Sequence, residues 1–256
     1  MCPNTCIAYT GPFSVLESCP YCSTPQYDPI QLASSNGAIK KPQQQFYIIP
    51  IDPKLQALWH SPNGAEQMCY REHVTEQILK DIGYVEGQPI LSPESYNDIF
   101  YGSNYLQAVI DKKNQAGGMV LMLSIDSAQL YRHKVSDCWM YIWVIFNHSL
   151  DHWYQKKFAL PSGFFPGPHK PKNIDSFSYP GLHHMNTINK NGGLKVWDAA
   201  RNTVFSSKLF LALATADTPR LVYFSGLVGR HGKSGCQVYC ALKGCHEHGG
   251  SHYYPA

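Results

Sequence analysis

The sequence lacks an apolar run of membrane-spanning length, and its N-terminus, MCPNTC, has neither the basic region nor the hydrophobic core of a secretory signal. Charge is scarce. Only 15% of residues are charged, and the net charge is +3. A surplus of that size permits nucleic-acid binding without demanding it. These absences argue against a membrane partner and against a charge-rich disordered chain. What is present predicts a packed protein: 44% hydrophobic and 13% aromatic residues in 256, enough for one sizeable core or two modest ones. Nine cysteines without a secretory signal predict an intracellular chain with metal sites, not disulfides.

Residues 119–125 (MVLMLSI) are nearly all apolar and run into Asp126. A short continuous apolar run reads as a strand buried on both faces. A carboxylate where such a strand leaves the core is costly unless paired, hydrogen-bonded or bound to a cation. An Asx-turn or helix cap is the plain alternative. Residues 209–216 (LFLALATA) repeat the pattern and run into Asp217, 91 positions further on. Two buried strands that end in carboxylates suit divalent metal ions engaged in phosphoryl transfer.

Cysteines form two further groups. Cys2 and Cys6, then Cys19 and Cys22, make two close pairs that can set four thiolates around zinc. That segment is too small to bury a core of its own, so metal would supply its folding energy. Near the other end, His231, Cys236, Cys240, Cys245, His246, His248 and His252 crowd together. Cys236, Cys240, His246 and His252 make the preferred zinc quartet there, with Cys245 and His248 competing and a His-rich tail as the alternative.

Between these groups, residues 31–50 read as a polar connection. A helix is predicted from Asp52, with Asp52 as cap and Leu55, Leu58 and Trp59 on one face. Helical pieces follow at 65–82 and 93–113, with Cys69 as a small buried hydrophobe. Strands are predicted at 119–125, 139–146 and 156–160. The proline-rich stretch 161–172 is expected to be irregular. Its His169, Lys170 and Lys172 face either a DNA backbone or solvent. Asp175 caps a helix to about Lys190, a short hairpin occupies 194–205, 209–216 is the fourth strand, and a helix covers 218–228. Strand, strand, strand, helix, strand, helix is the order of a ribonuclease-H-like fold.

Several motifs carry a resemblance: Cys2-Pro-Asn-Thr-Cys6 with Cys19-Pro-Tyr-Cys22, then LSIDSAQLY at 123–131, PGPHKPKNID at 166–175, ATAD at 214–217 and GCQVYC at 235–240. In this order they resemble the transposases of CACTA-type (En/Spm-like) DNA transposons, in the form common in fungi, over nearly the whole chain. The resemblance implies a zinc-ribbon-like module at 1–30, a linker and helical region at 31–116, and a ribonuclease-H-like (retroviral-integrase-like) α/β core at 117–256 with a Cys/His-rich segment at 231–252. It implies catalytic Asp126 and Asp217 holding Mg²⁺ or Mn²⁺, structural Zn²⁺, transposon-end and target DNA as partners, homo-oligomers, and a nuclear location. Ser127 stands where relatives usually have glycine, and Arg132 and Lys134 are candidate phosphate contacts. The third acidic ligand is expected from a helix beyond Ala256, so the chain is expected to be a front part or truncated copy. A non-catalytic, zinc-dependent DNA-binding protein derived from a transposase is the alternative function.

Overall fold

A computed structural model describes residues 1–81, 83–85, 88–90, 98–129, 137–167, 169–216, 221, 232–234, 243–246, 249 and 253–254. In chain order these include α1 (Pro29–Ser34), β1 (Tyr47–Ile48), α2 (Asp52–Trp59), α3 (Pro62–Met68) and α4 (Tyr70–Asp81). A small hairpin of β2 (Gly83–Val85) and β3 (Gln88–Ile90) and then α5 (Ser103–Ile110) lead into β4 (Met119–Gln129), β5 (Asp137–Ile145) and β6 (Leu160–Gly167). After these come α6 (Ile174–Lys190), β7 (Leu194–Asp198), β8 (Thr203–Ser207) and β9 (Leu209–Ala216). The pair β10 (Cys245–His246) and β11 (Tyr253–Tyr254) is antiparallel. The result is a mixed α/β fold.

One five-stranded sheet dominates, in the order β1-β6-β5-β4-β9. Strands β4, β5 and β6 form an antiparallel meander, and β9 returns parallel to β4. A parallel return needs a crossover, and α6 with the β7–β8 hairpin supplies it. The apolar run of β4 divides by parity between two layers, as strand geometry requires. Met119, Leu121, Leu123 and Ile125 join Trp139, Tyr141, Trp143, Phe165 and Phe177 on one face. Val120 and Met122 join Ile78, Phe100, Leu106, Val144 and Phe146 on the other. No helix among the described residues is long and apolar enough to cross a membrane.

The start of the sheet is pinned by one buried side chain. Asn147 Oδ1 accepts from Val120 N at 2.8 Å, and its Nδ2 donates to Gly118 O at 3.0 Å and to Met68 O at 3.4 Å. It thereby ties β4 to the end of β5 and to α3.

Several local expectations are corrected. The third strand is β6, Leu160–Gly167, inside the stretch expected to be irregular. Its prolines survive because the neighbour on that side, β1, pairs only with Gly163 and Phe164. Where β1 is absent no ladder partner is lost, and Pro166 O accepts from the Gln44 side chain instead. The second strand starts at Asp137, two residues earlier than expected, and the helix expected over 65–82 is broken at Cys69 into α3 and α4. Among the described residues of the stretch 93–113, Ser103–Ile110 is α-helical, after a 3₁₀ turn at Ile99–Tyr101. Asn173, not Asp175, caps α6, its Oδ1 accepting from Ser176 N at 2.9 Å. Asp52 lies inside the first turn of α2 and meets His184 Nε2 at 2.9 Å. The supposed connection at 31–50 contains the end of α1 and all of β1. The helix expected at 218–228 lies outside the described residues, Leu221 apart.

Two predictions follow from the packing. Asn147→Ala removes hydrogen bonds to three buried backbone groups and should lower unfolding free energy by about 2–3 kcal/mol, read by urea titration. His148 is fully buried, and neither ring nitrogen has a hydrogen-bond partner. Burial, helped by His152 and Lys157, pushes its pKa down to about 4. An unfolded imidazole titrates near 6.5, so between these values the unfolded chain binds a proton that the folded chain does not. Stability should therefore fall as pH drops from about 6.5 towards 4, by about 3 kcal/mol from this group. His148→Phe, which abandons no hydrogen bond, should flatten that part of the profile. An unchanged dependence of unfolding free energy on pH would remove His148 as its source.

Candidate metal centre and strand carboxylates

Two tight turns build the cysteine cluster. In the first, Thr5 N donates to Cys2 O and Cys2 N to Ile7 O, both at 2.9 Å. In the second, Ser23 N donates to Cys19 O at 2.8 Å and Cys19 N to Thr24 O at 2.9 Å. Thr5 and Ser23 each sit at φ 57°, the left-handed conformation that lets such short turns close.

The turns bring the four sulfurs of Cys2, Cys6, Cys19 and Cys22 within 4.8 Å of one another, with Cys2 and Cys22 at 3.5 Å. Tetrahedral zinc with Zn–S bonds near 2.3 Å requires sulfurs about 3.8 Å apart, so the set fits. Cys2, Cys6 and Cys19 are buried, and Ile7 packs with them. Burial raises the pKa of Cys2 and of Cys6. Cys22 goes the other way, to about 5, chiefly because the Thr24 hydroxyl lies against its sulfur. Asn4 Nδ2 also donates to that sulfur at 3.6 Å. A sulfur favoured as thiolate beside the buried thiols of Cys2 and Cys6 is a reasonable entry point for a soft divalent metal. The cluster can hold a structural metal such as zinc. Asn4 and Thr24 escaped the sequence reading, although a polar residue inside one knuckle and a hydroxyl just after the other are visible signals.

The cluster is docked on the sheet. Lys172 N and Asn173 N both donate to Cys6 O, at 3.1 and 3.0 Å. Ala8 N donates to Ser176 Oγ at 2.9 Å, and Thr10 Oγ1 donates to Ser176 O. Gly167 has no room for a Cβ because Thr5 lies against it. Met1 and Ala8 belong to the main core. The knuckles thus hold the β6–α6 connection and the first turn of α6.

Asp126 lies within β4, opposite Met140 of β5, and not at the strand's exit. It shares a face with Val120 and Met122, and its side chain is exposed. Ser127 N donates to Asp126 Oδ1 at 2.6 Å. Ser127 occupies regular strand opposite Trp139, so no glycine is needed there. Pairing between β4 and β9 shifts by one residue between Leu121 and Met122. Before the shift Leu121 faces Leu211; after it Met122 faces Leu213 and Ile125 faces Ala216. Asp217, Cys236, Cys240 and His252 lie outside the described residues, as does the side chain of His246. Arg132 and Lys134 lie outside them too.

Removing metal from the cysteine cluster should loosen what it holds. Cys6→Ser and Cys19→Ser should each lower bound zinc by one equivalent per chain, measured with a colorimetric chelator. Chelation should speed amide hydrogen exchange at Lys172 and Asn173 while leaving the β4–β5 ladder protected. Full zinc retention in either variant would exclude these thiols as its ligands.

The family model described as transposase family tnp2 matches residues 109–249, which span β4 to β9 and the Cys/His-rich segment. No curated protein and no solved structure matches the chain. The matched stretch is more than half of the sequence, and it contains β4, which carries Asp126, with β5, β6 and β9 of the sheet around it: the chain belongs to transposase family tnp2.

Proposed function

We propose that the chain is a DNA transposase of the CACTA (En/Spm-like) type, which cuts and joins transposon ends by metal-dependent phosphoryl transfer on a ribonuclease-H-like core. The observation that carries this reading is the register between β4 and β9. After the shift, Ile125 stands opposite Ala216, an offset equal to the 91 positions that separate Asp126 from Asp217. The next residue in sequence after each of these is an aspartate. Neighbouring strands lie about 4.8 Å apart, and laterally paired residues of a parallel sheet point the same way. Two carboxylates so related could share divalent ions. Without the one-residue shift Ala216 would stand opposite Asp126 and the two apolar runs would end out of phase.

Further support comes from the sheet. Three antiparallel strands, a helical crossover and a fourth strand parallel to the first reproduce the order expected of a ribonuclease-H-like core. In this reading Asp126 and Asp217 offer hard oxygen ligands at an exposed edge that a DNA phosphate can reach. Bound Mg²⁺ or Mn²⁺ would supply activation of the attacking oxygen and stabilisation of the leaving one. Asp126 keeps its carboxylate oriented through the Ser127 amide, and β5 holds the backbone of that stretch straight. Membership of a transposase family supports DNA as the partner.

Asp126→Asn is the direct test. It should lower Mg²⁺- or Mn²⁺-dependent nicking of a transposon-end duplex by at least about a hundredfold, since an ion worth several kcal/mol loses a ligand. DNA affinity and melting temperature should hold, because the side chain is exposed. Undiminished nicking by the variant would sink the reading. DNA binding without nicking in the wild-type chain would favour the zinc-dependent binding protein instead.

A further inference from the structure

The β7–β8 hairpin interrupts the crossover between α6 and β9, and its two faces differ sharply. The inner face is anchored. Leu194 and Val196 enter the main core, and Phe205 meets Trp59 edge-on at 4.8 Å. Ala199 N donates to Trp59 O, and Ser207 Oγ donates to Gly117 O. On the outer face Trp197 pairs across the strands with Val204, and Lys195 with Ser206. Trp197 is 41% exposed and Val204 62%, whereas the other four tryptophans, at 59, 139, 143 and 153, are all buried.

The charge of this segment is also unusual. Residues 190–208 carry Lys190, Lys195, Arg201 and Lys208 against one acid, a surplus as large as that of the whole chain. The acid, Asp198, is buried and satisfied within the turn by Ala200 N, Arg201 N and Arg201 Nη1. Half-buried Glu72 lines the same small cleft as Arg201. Lys190, Lys195 and Lys208 are exposed, and among the described residues none of them is ion-paired.

From these observations we infer that the β7–β8 hairpin is a second DNA-contacting surface, separate from the strand carboxylates. A two-stranded ribbon fits a major groove about 12 Å wide. Lys190, Lys195 and Lys208 meet phosphates, and Trp197 with Val204 lies against base edges and sugars. The hairpin sits at the beginning of β4, where Met119 N donates to Lys208 O at 2.9 Å. From there to Asp126 the strand runs seven residues, about 23 Å at ~3.3 Å each. That length matches about seven base pairs, so the hairpin reaches duplex flanking the cut and not the reacting phosphate. Its role rests on the DNA partner of the transposase reading but not on the chemistry assigned to Asp126.

The test uses the zinc-loaded full chain and a fluorescein-labelled transposon-end duplex, with anisotropy followed between about 50 and 200 mM salt. The triple variant Lys190→Gln, Lys195→Gln, Lys208→Gln should bind about tenfold or more weakly and lower the slope of log affinity against log salt by about 2–3. Trp197→Ala should weaken binding about tenfold. DNA should quench tryptophan emission in the wild type but not in Trp197→Phe, a variant that keeps an aromatic ring and so controls for folding. Wild-type binding with unchanged affinity and slope in the variants would overturn the hairpin assignment and leave the transposase reading standing. Variants that change only self-association in sedimentation would overturn it too, since the face would then be a protein interface. A wild-type chain that binds no duplex would overturn both the hairpin assignment and the transposase reading.

Discussion

Everything else in the sheet depends on one pairing, the parallel contact of β4 with β9. Parallel neighbours cannot be joined by a tight turn, so the chain must leave the sheet after β6 and cross back to the opposite end, where β4 begins, before it re-enters as β9. The seventeen-residue α6 and the hairpin after it fill that detour. Because both strands run in the same direction, both apolar runs finish at the same edge. A single extra residue in β9 then decides which side chains stand side by side there. Bulges are frequent beside active sites because they re-aim a strand without unpairing it. This one brings two alternating patterns into phase where Ile125 meets Ala216.

A second constraint concerns the end of β6. Its proline-rich continuation offers few backbone donors, and no strand borders it beyond Phe164 on the β1 side. The cysteine knuckles compensate. Cys6 O takes the two amides that open the α6 approach, and Ser176 is bound through both its hydroxyl and its carbonyl. A metal at the four thiols would therefore stiffen more than its own turns. It would fix the angle at which α6 crosses the sheet, and with it the start of the return to β9. The N-terminal segment acts as a brace packed into the main core through Met1 and Ala8.

Much of this was legible in the sequence, for physical reasons. Long apolar runs with one dominant period read cleanly, which is why β9 spans the predicted 209–216; the hairpin expected at 194–205 extends to Ser207. Cysteine spacing was equally direct, because two short loops with paired thiols have few other uses. The misses lie where tertiary context overrode local preference. Pro161 and Pro166 argued against a strand, yet a sheet only two residues deep on that side has no donor to lose. Asp126 suggested an exit from the core, whereas β5 carries the ladder past it to Gln129. Nothing in the residues of β9 announces the shift after Leu211, so the register of Ile125 against Ala216 had to come from the fold. The hairpin's exposed tryptophan was equally silent, since burial of Trp197 depends on what packs behind it.

These features divide the molecule along the β4 axis. At one end the strand is wrapped on both sides by helices and pinned through Asn147, and side chains there are locked by packing. At the other end, among the described residues, the Asp126 side chain is exposed. Rigid support beneath an open edge is the arrangement that metal-ion chemistry on a large polymer needs, because the substrate must lie across the edge while the ligands stay fixed. A basic ribbon at the wrapped end complements it. In the proposed reading a polymer held there, about 23 Å from Asp126, is positioned by contacts that need not change during reaction. Binding and chemistry can then be altered independently, which is the physical content of assigning them to opposite ends of one strand.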